Sequence, residues 1–196
     1  MEESELLKSQ GFQVFKTLGE GSNGKVFLVH HPEFGIVAAK VIQNENFEAR
    51  EWDTAGIFVN DPPNIRPFII QNIAAKGFDK MTVIILEYAN IGSLKTLIDT
   101  NVDISIPVVR LIMNQLLEGL RYIHSKGLIH RDIKGGNILM HNPPGSGRVI
   151  LKIADFGEAK LKTEINKTLL MTKAGTPPYM APELIMVGDQ GRVNTD

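Results

Sequence analysis

The amino-acid sequence predicts an α+β protein of two lobes meeting near residue 88, a small lobe built on an antiparallel sheet and a larger, mainly helical one. Three observations carry this expectation. The first 88 residues hold several short apolar runs at strand length, separated by glycine-containing turns. Residues 107–126 carry apolar side chains at 109, 112, 113, 116, 117, 120 and 123, a stripe about one helical face wide. Just after that helix, Leu128 to Met140 forms a strongly polar run clamped between apolar pairs, which is where chemistry is expected to sit.

Taken in order, residues 1–11 read as an acidic leader, since Met1-Glu-Glu-Ser-Glu5 lacks the basic and apolar regions of a secretory signal. Phe12 to Leu18 and Lys25 to Val29 read as a strand hairpin around the turn Gly19-Glu-Gly21-Ser-Asn-Gly24-Lys-Val26. Its glycines let a backbone come close to phosphates and donate N–H groups to them. By itself the turn also reads as a plain flexible connection, and a dinucleotide fingerprint would need a helix where a strand follows. Ile36 to Ile42 is an apolar strand around the single Lys40. A buried ammonium is expensive unless it meets an anion, so Lys40 calls for phosphate and carboxylate, or else is an edge lysine reaching water.

Residues 45–58 read as helical. Phe68 to Ala74 and Thr82 to Leu86 read as strands joined through Gly77 and complete the small sheet. The helix at 107–126 is opened by Ser105 and Pro107 and stopped by Gly127, and its stripe reads as core. Ile138 to Met140 and Val149 to Ile153 read as short strands, and Asp155-Phe-Gly157 follows them. An Asp-x-Gly triplet alone is an ordinary turn former. Residues 158–174 are polar and irregular.

Composition excludes several classes. The 196 residues carry 21 basic and 22 acidic side chains, so no general nucleic-acid or membrane-surface binder is indicated. There is no cysteine, and five histidines show no metal-ligand spacing. No apolar run reaches membrane-spanning length, and a cytoplasmic or nuclear location is expected.

In the polar run, His130, Arg131, Asp132, Lys134 and Asn137 combine an acceptor-only carboxylate, a positive point charge and an oxygen ligand, a set suited to phosphoryl transfer. Together with the glycine turn, Lys40 sixteen residues after Gly24, Asp155 eighteen after Asn137, and Gly175-Thr-Pro-Pro-Tyr-Met-Ala-Pro-Glu183, these motifs resemble the eukaryotic protein kinases from Leu18 to Asp196. Lys134 in the loop and Thr176 after Gly175 resemble the serine/threonine type. The run Ile129 to Leu139 resembles the sterile and mitogen-activated-protein kinase kinase kinase group.

The resemblance implies a bilobal kinase-like fold, with residues 12–88 as the ATP-binding lobe and 89–196 as part of the catalytic lobe. It implies ATP and magnesium as cofactors and a protein Ser/Thr hydroxyl as acceptor. Gly19, Glu20, Gly21, Ser22, Asn23, Gly24, Lys25 and Val26 would cover the phosphates, Leu18 would also bind the nucleotide, and Lys40 would grip the α and β groups. Glu51 would hold Lys40, with Glu48 as the competing glutamate. Val26, Ala38 and Leu139 would sandwich adenine, backbone groups of Glu87 and Ala89 would meet its edge, and Leu86 would stand at the back of the pocket. Asn137 and Asp155 would hold magnesium, Asp132 would deprotonate the acceptor, and Lys134 would neutralise the transferred group. Thr172 would be an activating phosphosite for an upstream kinase, pairing with Arg131.

The resemblance further implies a fold left incomplete after the activation segment. Apolar side chains of the 107–126 helix and around His130 would then face water, and Glu183 would lack its arginine partner. The isolated chain is expected to be poorly stable with little transferase activity, which keeps open an ATP-binding scaffold or a non-functional fragment.

Overall fold

A computed structural model describes residues 3–21, 24–46, 54, 56–58, 61–162 and 175–182. The chain forms two units, Met1–Ala55 with Ile70–Tyr88, and Gly56–Ile69 with Ala89–Asp196.

The first unit is a five-stranded antiparallel sheet made of β1 (Gln13–Gly21), β2 (Gly24–His31), β3 (Gly35–Gln43), β4 (Asn72–Gly77) and β5 (Met81–Glu87), in the spatial order β1-β2-β3-β5-β4. Side chains alternate between faces along a strand. Phe27, Val29, Val37, Ala39, Val41, Met81, Val83 and Ile85 accordingly form one apolar cluster. The residues read as an acidic leader supply its cover: Glu3–Ser9 is a helix, α1, whose Leu6 and Leu7 are buried in that cluster. Ala38, Lys40 and Ile42 alternate with these residues on the central strand β3 and are buried too, so β3 is covered on both faces.

The glycine-rich turn lies in the expected hairpin, and most of it is strand-paired. The ladder continues through Gly19 and Glu20 to a Gly21↔Gly24 pair, with register shifts after Val14 and Thr17, because glycine backbone pairs as well as any other once a bulge takes up the twist. Gly24 has φ 107°, and a Cβ there would run into the Val41 carbonyl, so only glycine lets β2 lie this close to β3.

The expected strand from Phe68 to Ala74 is also revised. β4 starts at Asn72, while Phe68 and Ile69 belong to the second unit. Ile69 pairs with Ile153 through one parallel bridge, and Ile153 N–H donates to the Phe68 carbonyl at 2.8 Å. An apolar run shows that a segment is buried but not against which neighbour. Gly77 ends β4, and Phe78 N–H closes the hairpin on the Met81 carbonyl at 2.8 Å. Of the expected 45–58 helix, Thr54 and Gly56–Phe58 are helical and Asn44–Asn46 is a 3-10 turn. Glu48 and Glu51 lie outside the described residues.

In the second unit, Gly92–Ser93 (β6) leads into α2 (Leu94–Asp99), capped by the Ser93 hydroxyl on the Thr96 N–H at 3.2 Å. The predicted long helix is α3 (Ile106–Ser125), with Ser105 as N-cap, proline in its first turn, and Gly127 at φ 71° just beyond it. Of its stripe Ile123 is fully buried, and Gly119 beside the stripe is buried with it. Gly119 sits so close to the sheet that an added Cβ would lie 2.7 Å from Ile153 Cδ1. Along one edge of the stripe Val109, Met113 and Leu117 are exposed, Leu117 by 59%. That matches the expectation of apolar side chains facing water on this helix. Around His130 the expectation fails: Leu128, Ile138 and Phe156 are buried, Phe156 packs on the His130 ring, and His130 is 1% exposed. After α3 come β7 (Leu128–Ile129), β8 (Ile138–His141), β9 (Ile150–Ile153) and β10 (Lys160–Leu161). β6, β8 and β9 form one small sheet, while β10 pairs with β7.

Candidate active site

The polar run leaves β7 and enters β8 through a 3-10 turn, Gly135–Asn137, so both of its ends are tied to strands of the second unit. Arg131 (φ 67°) and Asp155 (φ 64°) hold left-handed backbone conformations. For side chains other than glycine such strain persists where the surroundings over-determine it.

Asp132 is buried, and its carboxylate accepts four hydrogen bonds. Oδ1 takes the Thr176 N–H at 3.0 Å and the Thr176 hydroxyl at 2.8 Å. Oδ2 takes the Asn137 amide at 2.9 Å and Lys134 Nζ at 2.8 Å. Lys134 Nζ also donates to Thr176 Oγ1 at 2.7 Å, closing a ring of three side chains. Burial works against the charge on Asp132, but the bonds from Lys134, Thr176 and Asn137 outweigh it and hold the carboxyl below its ordinary value. The group is thus ionised, desolvated and oriented at neutral pH.

His130 sits beneath this ring. Its Nδ1 accepts the Asp132 N–H at 3.3 Å, which makes Nε2 the protonated nitrogen, donating to the Ala154 carbonyl at 3.1 Å. Burial lowers its pKa, so the imidazole is neutral and acts as a spacer between the loop and the segment after β9 that carries Asp155. Phe156 packs on it with ring centroids 4.9 Å apart.

Asn137 donates both amide hydrogens to Asp132, to its carbonyl and to its carboxylate, each at 2.9 Å. The amide is thereby turned so that its carbonyl oxygen is the atom left for a ligand. Ala154 N–H bonds the Asn137 backbone carbonyl at 2.9 Å, which links the segment bearing Asp155 to Asn137. Two hard oxygen donors, one neutral and one anionic, suit a magnesium ion that keeps waters and substrate phosphate as its other ligands. Among the described residues no group of three or more His, Asp or Glu is placed as an all-protein metal cage.

Arg131, with its side chain 4% exposed, donates from Nε to the Glu158 carbonyl and has Nη2 3.7 Å from the Glu158 carboxylate. Its expected partner Thr172 lies outside the described residues, as do Glu183, Ser22 and Asn23. Gly175 (φ 106°) passes so close to the loop that a Cβ would lie 2.7 Å from the Arg131 carbonyl, which is what brings the neighbouring Thr176 onto Asp132.

In the first unit, Lys40 is 6% exposed on β3, in one row with Val26 and Ile84. Ala38 is buried opposite Leu86. Leu18, Gly19, Glu20 and Gly21 lie exposed on β1, and Lys25 pairs with Glu20 across the hairpin at 3.2 Å. Glu87 exchanges bonds with Gln71: its N–H donates to the Gln71 carbonyl at 2.9 Å and its Oε1 accepts the Gln71 N–H at 2.8 Å. Ala89 and Leu139 lie in the second unit. Within that unit the structure brings Asp132, Lys134 and Asn137 together. It adds Thr176, which the sequence marked only as a type signature.

The protein kinase domain family matches residues 12–196. Similar curated proteins include serine/threonine-protein kinase 10 of Danio rerio, 34% identical over 179 residues that cover 89% of this chain and 18% of that protein. Serine/threonine-protein kinase dst1 of Dictyostelium discoideum is 37% identical over 176 residues, 89% of this chain and 23% of that protein. Mitogen-activated protein kinase kinase kinase 3 of Arabidopsis thaliana is 34% identical over 184 residues, 90% of this chain and 29% of that protein. The chain thus spans less than a third of the length of these relatives. No helix among the described residues is long and apolar enough to cross a membrane.

Proposed function

Because this chain belongs to the eukaryotic serine/threonine protein kinase family, we propose that it transfers the γ-phosphoryl group of ATP to Ser or Thr hydroxyls of a protein substrate. The observation that carries the reading is the Asp132 carboxylate, kept ionised by Lys134, Asn137 and Thr176 in a buried loop. In this reading Asp132 orients the acceptor hydroxyl and takes its proton as the oxygen attacks phosphorus. Lys134, already beside that carboxylate, offsets the negative charge growing on the transferred group.

Asn137 and Asp155 are the residues that would hold magnesium. When bound, the ion neutralises phosphate charge and the nucleotide supplies the phosphoryl group. In the first unit, the segment from Gly19 to Val26 is assigned to the phosphates, Leu18 to the nucleotide, and Lys40, partnered by Glu51, to the α and β groups. Ala38, Leu139 and the backbone at Glu87 and Ala89 are assigned to adenine. Burial of Lys40 among apolar neighbours supports its role, since an ammonium there favours an anionic ligand.

The test is phosphate transfer from ATP to a generic basic protein, with magnesium-dependent nucleotide binding measured in parallel. Lys40→Met and Asp155→Asn are each expected to lower turnover by about a hundredfold or more, on the order of 3 kcal/mol of transition-state stabilisation. Wild-type turnover in either variant would overturn the assignments, and binding without transfer would make the chain a nucleotide-binding scaffold.

Thr172 is proposed as an activating phosphosite for an upstream kinase, because a phosphate there would add nearly two negative charges within the segment that leads to Gly175. Phosphosite mapping and a Thr172→Ala comparison test this. Equal activity in the alanine variant rejects it.

A further inference from the structure

Helix α1 lies ahead of the stretch that the chain shares with its family, and none of the roles above uses it. Seven residues are too few to hold a helix in water unaided, so caps and packing must hold this one. At its end the Ser9 hydroxyl donates to the Leu6 carbonyl at 2.7 Å, and the N–H groups of Gln10, Gly11 and Phe12 close on the carbonyls of Leu7, Lys8 and Leu7, each at 3.1 Å. Gly11, at φ 84°, turns the chain so that Phe12 meets the His31 ring at 4.6 Å, and His31 in turn stacks on Phe34 at 5.0 Å.

Two observations join this helix to the whole sheet of the first unit. Leu7 is fully buried and Leu6 nearly so, in a cluster that runs from Phe12 and Val14 at β1 to Ala74 on β4 and Phe78 just beyond it. Gln10 Oε1 accepts a hydrogen bond from Lys76 Nζ of β4 at 2.9 Å. Because β1 and β4 stand at opposite ends of the strand order, this tie closes the back of the sheet. Between them the central strand β3 turns Val37, Ala39 and Val41 into the cluster with Leu7, and Ala38 and Lys40 to the other face. All five are buried, so β3 is held between two packed faces.

We propose that α1 is a strap that positions Lys40 from the back of the sheet, with Leu7 as its wedge and the Gln10–Lys76 bond as its latch. Close packing leaves no gap to absorb a displacement. A shift of Val37, Ala39 or Val41 therefore moves the backbone that they share with Ala38 and Lys40. Loosening the strap weakens nucleotide binding without touching any residue assigned to the nucleotide. That consequence rests on the role given to Lys40 above, so the test includes a readout that needs no nucleotide.

Ala38 and Ala39 are neighbours in the chain on opposite faces of β3, which makes their methyl groups paired reporters. Alanine-methyl NMR signals are recorded on the full chain without nucleotide, in wild type, Leu7→Ala, Leu7→Met and Lys76→Met. Glu5→Gln, on the exposed side of α1, serves as a control. Leu7→Ala should shift both methyl signals, and Leu7→Met, which nearly conserves volume, should leave them close to wild type. Lys76→Met keeps the apolar stem and loses the bond to Gln10, so smaller shifts of both signals are expected. Glu5→Gln should move neither.

In a titration with magnesium and ATP, at a temperature where every variant is folded, Leu7→Ala should raise Kd ~2- to 30-fold, the range for changes along a packed network. Lys76→Met should raise it less. An Ala38 signal that stays in place in both variants while Ala39 moves would confine α1 to covering the back face and overturn the proposal, as would wild-type nucleotide affinity in both. A wild type that binds no nucleotide fails the nucleotide reading instead, and the methyl signals still decide the strap. Lys76 is exposed, so Lys76→Met carries the test even where Leu7→Ala fails to fold.

Discussion

Thr176→Val removes one hydroxyl and nearly nothing else. That hydroxyl donates to Asp132 Oδ1 at 2.8 Å and accepts from Lys134 Nζ at 2.7 Å, while the Thr176 N–H bond at 3.0 Å survives the change. Two bonds to charged groups are lost, and valine cannot replace either. A hydrogen bond to a charged partner contributes about 1.5 to 3 kcal/mol. The surviving N–H bond and the water available to Lys134 limit the loss to roughly one such bond, about 10- to 100-fold in turnover if the geometry matters at the transition state. If the bond also stabilises the ground state, the melting midpoint falls by roughly 3 to 12 °C for a domain of this size. Removing a donor from the carboxylate raises the Asp132 pKa, so the acid limb of the rate profile moves to higher pH. Thr176→Ser should restore all three readouts. Steady-state transfer kinetics across pH, together with calorimetry, make the comparison. A valine variant with unchanged turnover and an unchanged acid limb would refute the claim that Thr176 poises Asp132.

Two further outcomes follow from backbone and burial. Gly24→Ala places a Cβ against the Val41 carbonyl at φ 107°, so it should cost ~1–3 kcal/mol and weaken nucleotide binding by disturbing the strands beside Lys40. Thermal melts and nucleotide titration would show it, and an unchanged midpoint would refute the close approach. His130 titrates below its ordinary 6.5 because burial disfavours the charged ring. Its contribution to stability is therefore complete above pH 6.5 and is lost as pH falls from there through the lower folded-state pKa, where the unfolded chain binds the proton more readily. Denaturant melts from about pH 7.5 to pH 5 should lose part of their pH slope in His130→Phe. An identical slope would assign the dependence to other groups.

Much of this was legible because it is local. Alternation exposed the strands, the single charge in Ile36 to Ile42 marked Lys40, and five residue types within eight positions marked the loop around Asp132. What escaped depends on distance along the chain. Thr176 bonds Asp132 from 44 residues away, and Tyr122 bonds Asp61 from 61 residues away, and no periodicity records either pairing. Helix α1 has seven residues, too few for a helical period to stand out, and its Leu6 and Leu7 make sense only once the open face of the sheet is seen. Phe68 and Ile69 read as strand because burial alone does not name a partner. The apolar stripe of α3 announced a buried face, yet Val109, Met113 and Leu117 lie on the exposed edge of it.

The path of residues 56–69 bears on how the protein can be taken apart. This short piece precedes two strands of the first unit in the chain but packs with the second, where Phe68 and Ile69 hold β9 and Phe68 lies beside Gly119 of α3. Gene dissection at the point where the last strand of the first unit's sheet ends would deliver the later half without residues that line its own core. The Ile153 N–H would lose its acceptor and the Phe156 ring would lose its edge-on contact with Phe58. During synthesis the same piece leaves the ribosome well before β9 exists, so it must wait unpartnered or dock only when the later chain arrives. Co-expression of residues 89–196 with a separate segment of residues 1–88, rather than either half alone, is the division this wiring permits.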